Sequence, residues 1–220
     1  MRRPDLKTIF TCYAAAWLYL AGFVLAEVIY ADLPPRGQAA LTAWASTKVH
    51  NLSHDPVGSL VISAFVTGES ATAWPAAIAL ATFGANRVLG NWRTVLVCAA
   101  GHVIGTLVSE AIVGYRLSRG LLPGPDRYLV DVGPSYVVVS AIVVALLSGS
   151  WLVRGAAALD LALLVGVGHI FGGLSQLSVS AVGHVTAMVV AAIAGGLLVW
   201  RRRGRARTFA CDPGGAARNL

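Results

Sequence analysis

VDVGPSYVVVSAIVVALLSGSW, Val130 to Trp151, is the stretch whose reading decides the fold. After Tyr136 only Ser140 and the Ser148 to Ser150 end interrupt the apolar run. The run shows neither the alternation of a half-buried strand nor the one-sided stripe of a surface helix, so it reads as a membrane-grade helix. At its head stands Gly133-Pro134-Ser135-Tyr136, and the question is why such a helix begins with a serine.

Working outward, the whole chain has the same character. Its 220 residues are 56% hydrophobic and only 12% charged, with a mean hydropathy of +0.70. A soluble domain carries about twice that fraction of charge. Six apolar segments follow one another: Thr8 to Tyr30, Trp74 to Leu89, Thr94 to Tyr115, Ser135 to Leu152, Ala156 to Phe171 and Ser180 to Trp200. The expectation is an all-α, polytopic membrane protein, a six-helix bundle over residues 1–200 forming one domain. A basic tail without regular structure, 201–220, is expected to follow. The long first connection carries Leu41, Trp44 and Val49 at helical spacings, so part of it is expected at the membrane interface.

The net charge of +7 does not point to nucleic acid. Arg201, Arg202, Arg203, Arg205 and Arg207 follow directly on an apolar segment, as a cytoplasmic cluster beside a membrane would, and no aromatic residues interleave with them. Such a cluster favours anionic lipid. With the N-terminus in the cytoplasm and one crossing per segment, twelve Lys and Arg fall inside and five outside. That ratio obeys the positive-inside rule and places both termini in the cytoplasm of a cytoplasmic-membrane protein. The start MRRPDLK is read as the lead into a retained first helix rather than a cleaved leader. Cys12, Cys98 and Cys211 fit neither a disulfide framework nor a zinc site. Glycines and alanines within the segments let helices approach closely. No internal repeat is visible, which disfavours a transporter.

This topology puts Ser135 in the first turn of segment four and His184 about one turn into segment six, both entering from the outer face. At ~1.5 Å per residue their depths match, the least arrangement in which a histidine base can take a proton from a serine nucleophile. Gly133 and Pro134 hold the approach nonhelical, and a helix N-terminus offers unpaired N–H groups beside the serine as oxyanion donors. Ala187 and Ala191 follow His184 on one face, where they can pack against another helix.

Each residue also has a plainer reading. A serine opening a helix is commonly a cap, and His184 alone could be a core histidine, although an ionisable side chain in a membrane argues for function. His102, near the middle of segment three, is expected to hydrogen-bond a neighbouring helix, and His169 to lie at the interface. His50 and His54 stand four apart without a third ligand, so no metal site and no cofactor is expected. Asp160 is expected to reach the interface towards Arg154. Glu110 and Glu69 have no assignable partner.

The GPSY of Gly133 to Tyr136 and the GHVTAMVVA of Gly183 to Ala191 resemble the rhomboid family of intramembrane serine proteases. In that family a Gly-x-Ser-Gly serine on the fourth helix pairs with a histidine on the sixth. HDPVGSLVISAF, His54 to Phe65, and GANRVLGN, Gly84 to Asn91, are similar to segments flanking the family's second helix. The resemblance covers most of Thr8 to Trp200. It implies a Ser135–His184 dyad, with Gly133 and Tyr136 near the oxyanion site, acting on transmembrane substrates that enter between segments two and five. It also implies a role as flap for the loop FGGLSQLSVS, Phe171 to Ser180. Departures are plain. Tyr136 stands where the family has glycine, and Ala187 and Ala191 replace two further glycines. TGESATAWPAAIALA, Thr67 to Ala81, holds none of the family's His-x-x-x-Asn. Two functions therefore stand side by side: a serine endopeptidase, or a degenerate relative that binds transmembrane clients without cutting them.

Overall fold

The computed structural model describes residues 10–68 and 73–210, with side chains described as far as residue 201. Among these residues every regular element is helical. The chain runs through α1 (Ala14–Asp32), three short helices α2 (Pro35–Ala45), α3 (Val49–His54) and α4 (Pro56–Ser63), then α5 (Trp74–Leu89), α6 (Asn91–Ser118), α7 (Ser135–Ser148), α8 (Trp151–Gly166) and α9 (Val179–Ala210). Short 3-10 turns, Gly124–Tyr128 and Leu174–Gln176, lie before α7 and α9.

Local chemistry sets the boundaries. Prolines open α2, α4 and α5, where a missing N–H costs nothing. The Asp55 carboxylate caps α4 by accepting from the Gly58 N–H at 2.9 Å. Gly90, at φ 79°, makes the abrupt turn from α5 into α6. The apolar run of segment four reads through to Leu152, but the helix stops at Ser148 and α8 starts at Trp151. Small residues, Ser148 to Ser150, mark that break better than hydropathy does. At the other end, α9 does not stop at Trp200: its backbone stays helical to Ala210, through the arginines expected to lie in an irregular tail. Residues 1–9 and 211–220, with Arg2, Arg3, Lys7, Cys211 and Arg218, lie outside the described residues, as does Glu69.

Helix α7 is the centre. Ten of its residues, Tyr136 to Ala145, are buried, and α5, α6, α8 and α9 all pack against it. A helix apolar on every side is stable only when enclosed. Close approach is permitted by small residues. A Cβ on Gly105 would lie 2.9 Å from the Gly183 carbonyl and 3.4 Å from the Ala187 Cβ, and one on Gly195 would lie 2.9 Å from Val144 Cγ2. Ala187 and Ala191 are fully buried, so the small-residue face read in the sequence is where α9 meets the interior.

These contacts give the directions. Gly101 and Gly105 both approach Ala187, with Gly105 nearer the start of α9, so α6 and α9 are antiparallel; Tyr136 meets Gly183 while Val144 meets Gly195, so α7 and α9 run together. Peripheral α1 buries only Ala16 and Phe23. Its start is tied by Asn86 Nδ2 to the Cys12 carbonyl and Asn91 Nδ2 to the Thr11 carbonyl, both 2.8 Å. Its length is tied by Tyr19 OH to the Ala64 carbonyl at 2.8 Å. The asparagines of GANRVLGN thus clamp α1 to the α5–α6 turn.

By length and composition, α1, α6 and the Val179–Arg201 part of α9 can each cross a membrane. Helices α5, α7 and α8 are shorter, ~21–24 Å at 1.5 Å per residue, against a hydrocarbon core of about 30 Å.

Filling the α6–α9 contact should be costly. Gly105→Leu is expected to destabilise the bundle by about 1–3 kcal/mol, as overpacking does, because the opposing atom is a backbone carbonyl. Gly114→Leu, whose Cβ meets nothing within 4 Å, is expected to leave thermal unfolding in detergent nearly unchanged.

Candidate functional site

The end of the bundle where α7 and α9 begin is knotted together by polar groups. The segment before α7 is held from two sides. Thr47 donates its N–H to the Asp131 carbonyl at 2.9 Å, and the Asp131 N–H returns a bond to Ser46 Oγ at 2.9 Å. The Gly133 N–H goes to the Ser63 carbonyl at 2.9 Å. Gly133 sits at φ 135°, which a side chain would strain. Its N–H is therefore engaged in holding the loop that leads into Ser135.

Ser135 opens α7, half-buried, and its hydroxyl caps nothing. The first bond of the helical ladder runs from the Val138 N–H to the Pro134 carbonyl at 2.9 Å. The N–H groups of Ser135, Tyr136 and Val137 precede that ladder and are the donors this helix end offers.

His184 is 2% exposed. Its Nδ1 lies 2.9 Å from the Ile170 carbonyl and 3.4 Å from Ser180 Oγ. A carbonyl only accepts, so Nδ1 carries the proton and Nε2 holds a lone pair. That Nε2 is buried without a hydrogen-bond partner. The orienting carbonyl comes from the turn after α8, a contact no spacing in the sequence announces.

Tyr136, not Ser135, is the neighbour that touches the imidazole. The two rings meet edge to face with centroids 5.0 Å apart. Gly183 makes room: a side chain there would collide with the phenol. The Tyr136 hydroxyl donates to Asp131 Oδ2 at 3.1 Å, with the Val179 carbonyl 3.3 Å away. Ser109 also reaches this phenol, and the buried Glu110 meets the Val49 backbone beside Asp131. Asp131, Thr47 and Ser109 were not singled out in the sequence, and Glu110 was left there without an assignable partner. The one available signal was a run of polar residues at the mouths of apolar segments. Ser135 and His184 thus share the end of the bundle but exchange no hydrogen bond.

Other candidates sort themselves. His102, at Nε2, donates to the Leu60 carbonyl at 2.9 Å beside Ser63 Oγ at 3.2 Å, the neighbouring-helix bond expected of it. His50 and His54 stack at 4.5 Å on α3, and no cluster of three metal-ligating residues occurs among the described residues. His169 is exposed, at φ 47°. Asp160 departs from expectation. It is 1% exposed with Oδ2 unpartnered, while Arg154 turns to the Leu147 carbonyl at 3.1 Å. The periodicity of α8 aims Asp160 at the bundle instead of the interface. The loop before α9 is folded: Arg116 Nη1 donates to the Gln176 carbonyl at 2.9 Å, and Gly173 and Leu177 adopt positive φ.

With this geometry in view, comparison with known proteins adds one result. A family model described as rhomboid-like protein matches residues 11–207, which includes Ser135, Tyr136 and His184, and the chain belongs to that family. Neither a curated protein nor a solved structure matches. Family and apolar helices together make this a multi-pass membrane protein in a lipid environment.

Burial pushes the Asp131 carboxyl above the ordinary carboxylate range, against the opposing pull of bonds from Tyr136 and Thr47. A carboxyl raised on folding binds its proton more tightly in the native state, so its contribution to stability is full below pH 3.8 and lost as pH rises through the folded value. Asp131→Asn keeps an acceptor for Tyr136 and Thr47. It is expected to flatten the acid side of a stability-against-pH curve without lowering stability at pH 7, measured by thermal unfolding. Tyr136→Phe, which removes one of the two donors to Asp131 Oδ2, is expected to cost about 0.5–1.5 kcal/mol at pH 7.

Proposed function

We propose that this protein is a rhomboid-type intramembrane serine endopeptidase of the cytoplasmic membrane. In this reading six helices cross, with both termini in the cytoplasm, and Ser135 and His184 form a dyad near the outer face. The observation that carries the reading is the state of His184: Nδ1–H fixed on the Ile170 carbonyl, Nε2 unprotonated and free. That is the tautomer a general base needs, at the same end of the bundle as a serine hydroxyl that caps nothing and a helix start rich in donors.

The chemistry follows from those positions. The reading requires Ser135 Oγ to reach Nε2, which takes its proton as Oγ attacks the peptide carbonyl carbon of a transmembrane substrate. The N–H groups of Ser135 and Tyr136 receive the developing oxyanion. His184 then gives the proton to the departing amine, and water, activated by the same nitrogen, releases the acyl group from Ser135. Because His184 is 2% exposed, the Phe171–Ser180 loop must lift before water enters. Its latch is the Arg116–Gln176 bond. Catalytic hydrogen bonds that are open without substrate do not count against such a pair. Resemblance to the family supports substrate entry between α5 and α8.

A second reading has its own observation. Tyr136 packs on His184 where the family has glycine, and Thr67 to Ala81 supplies no His-x-x-x-Asn. Missing one oxyanion donor can cost ~10²–10³ in rate. In this reading the bundle binds transmembrane helices without cutting them, and Tyr136 with His184 is a packing pair.

A fluorophosphonate probe separates the two. The endopeptidase reading expects covalent labelling of the folded, purified protein, lost in Ser135→Ala and reduced at least a hundredfold in rate in His184→Gln. Absence of labelling in protein that unfolds cooperatively would leave the non-cleaving binder.

A further inference from the structure

At the opposite end of the bundle a groove of about 440 Å³ opens between α5 and α8, beside the start of α1. Its walls are apolar: Leu80, Phe83 and Gly84 from α5, and Leu152, Val153 and Ala156 from α8. Two polar groups stand in it, the Tyr13 phenol and the Arg87 guanidinium. We infer that this groove is a binding site for one anionic phospholipid, with its phosphate on Arg87 and Tyr13 and an acyl chain along α5.

Arg87 differs from the other arginines at this end of the bundle. Arg93, at the same end, lies over the Trp92 ring at 4.8 Å and reaches the Leu89 carbonyl at 3.4 Å. Arg154 is engaged at the Leu147 carbonyl. Arg87 is exposed and bonds no described residue, and the Tyr13 hydroxyl likewise bonds none. Asp160, further along α8, is buried past the groove and does not line it. A cation with no partner among the described residues, at the mouth of an apolar groove on a membrane protein, calls for an anion attached to hydrocarbon. Guanidinium and phosphate pair through two parallel N–H···O bonds, and a phenol adds a third donor.

The dimensions agree. Arg87 stands two residues from the end of α5 and seven beyond Leu80, so the groove follows α5 for about 10 Å from headgroup level into the hydrocarbon. A second copy of the chain would have to seat an apolar face beside an unpaired arginine, which charge disfavours. Occupancy here would brace α5 against α8, which meet where a Gly84 Cβ position lies 3.4 Å from Val153 Cγ1.

The test is native mass spectrometry of the detergent-purified full chain, titrated with phosphatidylglycerol and with phosphatidylcholine of the same acyl chains. The site predicts one tightly retained phosphatidylglycerol. Arg87→Gln should weaken it roughly fivefold, the effect of about one basic residue at a membrane surface. Arg87→Lys should keep most of the affinity, Arg93→Gln should change nothing, and a short-chain phosphatidylglycerol should bind less well. Equal retention of the two headgroups, indifference to Arg87→Gln, equal binding of the short-chain lipid, or a dimer that excludes lipid from this face would each overturn the assignment.

Discussion

A fourteen-residue helix buried along ten consecutive positions is the constraint from which this structure follows. Four other helices surround α7, so these ten positions face neither lipid nor water. To come close enough they must be thin at the contacts, which is why Gly101, Gly105, Ala187 and Gly195 stand where they do. In a membrane no hydrophobic force distinguishes neighbour from lipid, and dispersion across such flat contacts carries the association. At about 21 Å, α7 is also too short to reach both surfaces. Its first turn, buried at Tyr136, lies in a recess among the loops that carry Thr47, Asp131 and Ile170.

That recess explains the polar knot. The ends of α7 and α9 leave unpaired N–H groups, and the loops that roof them bring Thr47, Asp131, Gly133 and Ile170 into bonding distance. The result is a site in which one nitrogen of His184 is fixed and the other is free, walled by Tyr136. Of the two readings proposed above, the endopeptidase requires Tyr136 to give way to a substrate and the client binder does not. Replacing the family's glycine with a phenol is the most consequential departure in the chain, because the phenol is tied to Asp131 and Val179 as well as to the imidazole.

Much of the fold was legible because hydropathy over long windows reports burial directly. The Trp74 to Leu89 segment is helix α5 to the residue, and the face of Ala187 and Ala191 is buried as its spacing foretold. What escaped were features that hydropathy does not encode. The helix break at Gly149 hides in a continuous apolar run. Asp160 faces inward because of its angle on α8. The continuation of α9 to Ala210 comes from helix propensity that composition treated as a tail. At the site, topology alone set Ser135 and His184 at the starts of two segments, which are the starts of α7 and α9 at one end of the bundle. The carbonyl of Ile170 could not be placed this way, because it reaches His184 through a loop of positive-φ residues. Asp131 is separated from Thr47 by 84 positions, beyond any local pattern.

The parallel register of α7 and α9 underlies all of this, since it sets Tyr136 against His184 at one end and Val144 against Gly195 at the other. An introduced disulfide reads it directly. A Cβ at Gly195 lies 3.9 Å from that of Val144, within the range a disulfide bridges. In a chain with Cys12, Cys98 and Cys211 replaced by serine, Val144→Cys with Gly195→Cys is oxidised in the membrane, and the chain is then cleaved at a protease site inserted between α8 and α9. The account predicts that the two fragments stay joined until reductant is added. Fragments that separate without reductant, in protein that is folded, would contradict it.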